Sequence, residues 1–199
     1  LGPGDVAASR TAATVPSTFG RQDEAVRLSR RVVELDPLRA PAWHSVGIQA
    51  YRAGRLDEAV AALRKGLELS PGRPISYAYI GLSAVLRGRP QEALGEIQKE
   101  PEELWRLYGL AMAHHALKDN TKADEALAAL IAKHQDGAAF QIAEVYAFRG
   151  DSDKAFAWLE RAHAQRDTGL PGVKSSPMLK RLREDPRYAT ILKKMRLPE

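Results

Sequence analysis

Apolar side chains recur along this chain at helical spacing, interrupted at regular intervals by short polar stretches. Trp43, Val46, Gly47 and Ala50 lie at i, i+3, i+4 and i+7, one face of a helix that ends near Gly54. Asp57 begins a second helix, whose Ala59, Val60, Leu63, Leu67 and Leu69 form an apolar stripe stopped by Ser70-Pro71-Gly72. Two antiparallel helices joined by a glycine-centred turn are the expected unit. The unit repeats. Gly20-Arg21-Gln22-Asp23-Glu24-Ala25-Val26 returns as Gly54-Arg55-Leu56-Asp57-Glu58-Ala59-Val60 and again as Gly88-Arg89-Pro90-Gln91-Glu92-Ala93-Leu94, a shift of 34 each time. Fainter copies start at Lys118 and Gly150. One such hairpin cannot bury its own apolar face, so neighbours must stack.

These residues resemble the tetratricopeptide repeat family. Its pattern, W-x2-L-G-x2-Y followed by A-x3-F and P, is met in part by Trp43-x2-Val46-Gly47, Ala59-x3-Leu63 and Pro71. Tyr77-x2-Ile80-Gly81 and Ala93-x3-Ile97 meet it again. The pattern is looser in the fourth unit, where Lys118 takes the glycine place, and in the first, where Pro16 falls inside the expected leading helix. The stretches 104–117, 139–147 and 158–162, with the ending 185–198, resemble more narrowly the C-terminal repeat arrays of bacterial multidomain signalling proteins. The resemblance implies an all-α, right-handed solenoid of helix-turn-helix repeats. Residues 1–19 are expected to form a degenerate leading helix or a flexible segment, residues 20–170 the array, and residues 171–199 a basic pair of capping helices.

In such a solenoid the leading helices line the concave side. The face beside the Trp43 packing face carries His44, Ile48, Tyr51 and Arg52. It recurs as Tyr79 and Leu82, then as Tyr108, Met112 and His115, then as Phe140, Gln141, Glu144 and Phe148. Each of these positions could instead belong to the core between repeats. Together they read as an aromatic and apolar groove for a protein or peptide, either an amphipathic helix or an extended segment with apolar anchors. Chaperone-binding members of the family clamp a terminal carboxylate with several groove cations. Here Arg52 alone supplies a full cation, which disfavours that ligand class.

The remaining chemistry narrows the function by what is missing. No phosphate loop, H-x3-H spacing or strained serine elbow occurs, so neither enzyme, metal nor cofactor is expected. Cysteine is absent, which excludes a disulfide framework and a thiolate site. No apolar run approaches membrane-spanning length, so insertion is not expected. The net charge of +5 is carried by the end of the chain, where Lys174, Lys180, Arg181, Arg183, Arg187, Lys193, Lys194 and Arg196 face Glu184, Asp185 and Glu199. A tail so poor in aromatics offers phosphate attraction without base readout, so no specific nucleic-acid partner is expected. The expected function is non-catalytic protein binding, as the docking or regulatory region of a cytoplasmic signalling protein, a periplasmic site being compatible with the composition. Self-association into a homo-oligomer and an accessory role in a DNA-binding regulator are the alternatives. The opening Leu1-Gly2-Pro3-Gly4 reads as a processed chain or a fragment.

Overall fold

The computed structural model describes residues 14–198, and the described residues contain helices and turns but no strand. Most of the segment expected to be a degenerate leading helix lies outside them; residues 14–18 are helical. The helices are α1 (Gln22–Leu35), α2 (Ala40–Arg52), α3 (Leu56–Leu69), α4 (Ser76–Leu86), α5 (Pro90–Ile97), α6 (Glu103–Ala116), α7 (Asn120–His134), α8 (Ala139–Arg149) and α9 (Ser152–Gln165). Two short 3-10 helices, Leu170–Gly172 and Pro177–Leu182, precede α10 (Pro186–Lys194).

The helices pack as consecutive antiparallel pairs, α2 with α3, α4 with α5, α6 with α7 and α8 with α9. The first helix of each pair also touches the first helix of the next, so α2, α4, α6 and α8 form one continuous wall. The phase of the repeat is set at the turns. Gly20, Gly54, Gly88 and Gly150 all take positive φ, between 73° and 85°, where a side chain would be strained. Lys118, in the corresponding place of the fourth unit, adopts φ 63° without a glycine's freedom. Close approach within a pair is set by Gly47, where an added Cβ would lie 2.5 Å from Leu63 Cγ. One repeat on, Gly81 and Ile97 make the same contact.

Beyond α9 the chain does two things. Leu179 and Leu182 from the second 3-10 helix, with Tyr188, Ile191 and Leu192 from α10, bury themselves against Ala143, Ala147, Phe156 and Leu159 of the last pair. This is the expected cap. Ser176 accepts from the Met178 N–H and Asp185 from the Arg187 N–H, so each acts as the N-cap of a helix that opens on proline. The segment from Asp167 to Met178 instead turns back across the concave wall. Arg166, at φ 54°, ends α9 in the left-handed region and redirects the chain. Met178 packs in the cluster that joins Ile142 and Val145 of the last pair to Tyr51, Leu82, Tyr108 and Met112. Lys174 comes to lie against Gly20, and Phe19 and Gly20 share a cavity with Lys174, Tyr188 and Leu192. The returning segment therefore straps the leading repeat to the cap. Much of the tail's charge is used internally, since Arg187 pairs with Asp153, Lys194 pairs with Glu160, and Arg183 donates to the carbonyls of Lys174 and Ser176.

Candidate functional site

Two buried carboxylates hold the wall in register. The Glu100 side chain, 1% exposed, accepts from the N–H groups of Ile75 at 2.8 Å and Ala78 at 3.2 Å. It thereby closes the end of the second pair onto the open N-terminus of α4, where a negative charge suits the helix dipole. Asp167 performs the same task two pairs further on, accepting from the Phe140 N–H at 3.1 Å and from the Gly169 N–H at 2.8 Å. The second bond aims the strap into the groove. Gly169 approaches so closely that an added Cβ would meet Phe140 Cδ1 at 2.8 Å and Gln141 Nε2 at 2.9 Å.

The strap divides the expected groove. Tyr51, Leu82, Tyr108, Met112, Phe140, Gln141 and Glu144 are each no more than 7% exposed, covered by the chain itself. His44, Ile48, Arg52 and Tyr79 remain half-buried. His44, Ile48, Tyr51, Arg52, Tyr79, Phe140, Gln141 and Glu144 line one cavity of about 250 Å³, with Ile75, Trp105 and the strap residues Thr168, Gly169, Gly172 and Ser176. Leu82, Tyr108 and Met112 lie outside that lining, in the core with Met178. His115 and Phe148 are also apart from it, their rings edge to face with centroids 5.8 Å apart. Trp105 was not among the expected groove residues, although it sits three residues before Tyr108 on the same stripe. The strap residues carried no periodic signal that could place them here.

The aromatic rings run as a chain through the wall. Tyr51 meets Tyr79 edge-on at 4.8 Å, Tyr79 meets Trp105 at 5.7 Å, and Trp105 meets Tyr108 at 5.9 Å between centroids. At the base, Glu144 accepts from the Tyr108 hydroxyl at 2.7 Å and from the Ser176 hydroxyl at 2.5 Å. Burial pushes its carboxyl up to about 7, while those two hydroxyls and Arg52 pull the other way and Asp167 adds to the rise. His44 is moved down to about 4 by burial and by Arg73, and its Nδ1 lies 3.0 Å from the Ser76 hydroxyl.

Glu144 gives the protein a pH dependence of known sign. A carboxyl raised by folding holds a proton that the unfolded chain has already lost, so its contribution to stability is complete below about pH 4.5 and disappears as pH rises through about 7. The Glu144→Gln variant lacks this loss. Urea midpoints measured at about pH 4.5 and about pH 8 should therefore move in the variant's favour at the higher pH, by up to about 3 kcal/mol. A difference between variant and parent that stays constant with pH would show that Glu144 does not titrate in this range.

Stacked helix pairs with a continuous wall of leading helices define a helical-repeat solenoid, here with its groove partly filled from within. Residues 40–73 and residues 107–137 each match the description Tetratricopeptide repeat, so two segments of the chain are similar to that repeat. Solved structures agree on the fold. A thermophilic tetratricopeptide-repeat protein of Thermus thermophilus aligns with a TM-score of 0.64 and 18% identity, over 94% of this chain and 98% of its own. MamA from residue 41 onward, of Desulfovibrio magneticus RS-1, aligns at 0.55 and 16% identity, over 83% and 97%. YrrB, described as a repeat protein with an unusual peptide-binding site, aligns at 0.50 and 20% identity, over 84% and 90%. No curated protein sequence matches the chain.

Proposed function

We propose that this chain is a non-catalytic docking scaffold that captures an extended peptide segment in the open part of its concave face. The observation that carries this reading is the half of the groove the strap leaves uncovered. There His44, Ile48, Arg52, Tyr79 and Trp105 stand side by side, each half-buried, on three successive leading helices. An aromatic and apolar floor with one cation suits an extended segment with apolar anchors. The resemblance of the stretches 104–117, 139–147 and 158–162 to signalling arrays supports placing it as the regulatory region of a larger cytoplasmic bacterial protein.

Peptides selected from a displayed random library on the full chain should carry aromatic or aliphatic anchors. Tyr79→Ala or Trp105→Ala should weaken the selected peptides at least about tenfold, as truncation of an aromatic hot spot typically costs about 2 kcal/mol. Tyr108 is unsuitable for this test, because its buried hydroxyl supports Glu144. Failure to select any peptide, or unchanged affinity in both variants, would contradict the proposal.

Self-association is favoured by a separate observation. Leu35 and Leu38, where α1 ends, are 70% and 79% exposed, an apolar pair that a second copy could cover. Under this reading, a dimer seen by sedimentation should dissociate on Leu35→Ser with Leu38→Ser.

A further inference from the structure

The cavity between strap and wall holds one polar group without the partner its burial calls for, and beside it a cation without an acid. Tyr51 is 3% exposed and its hydroxyl makes no hydrogen bond, a state that ordinarily costs a buried polar group free energy. Arg52 is hydrogen-bonded with Tyr79 and has no carboxylate within ion-pair distance among the described residues. Both residues face the same space. The acid on its walls, Glu144, attracts Arg52 only from beyond ion-pair distance, its two oxygens being held by the Tyr108 and Ser176 hydroxyls. The bare backbone of Gly172 keeps the guanidinium uncovered, since an added Cβ would lie 3.5 Å from its Nη2.

We infer that this cavity is a binding site for a small organic acid with an aromatic or compact apolar body, its carboxylate paired with Arg52 and hydrogen-bonded by the Tyr51 hydroxyl. Charge decides for an anion, because the unmatched group is a cation. Guanidinium and carboxylate are complementary in geometry, which makes the pair directional. The walls decide the body. Ile48, Tyr79, Trp105 and Phe140 offer ring faces and a branched aliphatic surface. Size limits what enters it to one small molecule or one anchoring side chain. The volume of about 250 Å³ falls just under the roughly 300 Å³ at which pockets begin to hold drug-sized ligands. The strap supplies one wall, so occupancy of the site also ties the strap to the leading helices. The cavity is lined by the same His44, Ile48, Arg52, Tyr79 and Trp105 that floor the proposed docking cleft, so the inference deepens that reading by naming a ligand for its floor, and the blocked peptide in the titration separates the two occupants.

The test is calorimetric titration of the full chain with benzoate, phenylacetate and 3-phenylpropanoate. The uncharged amides of the three acids and a doubly blocked peptide with an internal Glu serve as comparisons. The expected result is saturable binding of at least one free acid, with its amide at least about tenfold weaker. Arg52→Gln should remove that preference. Tyr51→Phe should weaken the acid several-fold yet leave thermal stability equal or higher, because the hydroxyl it removes has no partner in the free protein. A purely structural Tyr51 would not separate affinity from stability in this way. If acid and amide bind equally, or no acid binds at millimolar concentration, the proposal is overturned. If only the blocked peptide binds, the small-acid site is overturned while the docking scaffold stands.

Discussion

A chain ended after Gly172 should unfold at a much lower temperature than the full protein, or aggregate. The residues removed include Leu179 and Leu182 at 0% exposure, Ile191 at 1%, and Met178 and Leu192 at 3%. Burial of each such side chain is worth roughly 1.5–3 kcal/mol, and a whole domain is typically stable by only about 5–15 kcal/mol. The loss also bares the stacking face of α8 and α9, which a solenoid cannot leave exposed. Reversing Lys193 and Lys194 to Glu is the control. Its cost should stay within about 1 kcal/mol, since the Lys194–Glu160 pair lies at the surface. Thermal melts followed by circular dichroism distinguish the two. A truncated chain that melts with the parent would mean that the tail is neither cap nor strap.

The Glu100→Ala variant should be destabilised by about 3 kcal/mol, a large effect for one side chain outside the apolar core. Its carboxylate serves the N–H groups of Ile75 and Ala78 from a buried position, and the Arg106 guanidinium holds its carbonyl at 2.7 Å. Removing a buried acceptor leaves its donors unsatisfied, at about 1–3 kcal/mol for each group that water cannot reach. Ile75 has a second stake in the contact, because its φ of 75° is a left-handed conformation that a β-branched residue keeps only when held there. Glu102→Ala, two residues on and exposed, should change the urea midpoint by less than about 0.5 kcal/mol. Equal effects of the two substitutions would remove Glu100 from its capping role.

The repeat was legible because its turn is a backbone requirement written in residue type. Gly54 and Gly88 stand where positive φ is needed, and the helices on either side follow from their apolar stripes. The cap was legible for the same reason, as Ser176-Pro177 and Asp185-Pro186 are local start signals that hold without tertiary context. The strap was not. Between Arg166 and Ser176 no periodicity marks a face, and the path is set by Asp167 bonding to a helix N-terminus 27 residues earlier in the chain. That contact exists only once α8 has formed. The groove was legible as a stripe, but helical spacing cannot distinguish a side chain facing open solvent from one facing the chain's own return. Tyr51 and Tyr79 share that stripe, yet one is buried and the other half-buried. The functions of Glu100 and Asp167 were hidden likewise, because an isolated acid after a helix looks the same in sequence whether it is solvated or caps a distant N-terminus.

Native-state hydrogen exchange, followed residue by residue on the free full-length chain, tests most directly whether the concave face is filled from within. The amides of Val173, Ser175, Ser176 and Met178 are hydrogen-bonded inside the strap. With the strap seated, they should exchange only with the slow opening shared by α6 and α8. The amides at the exposed lip around Thr168 should exchange early. Fast exchange across the whole of 168–178, with α6 and α8 still protected, would contradict the account and return the full groove to an open surface.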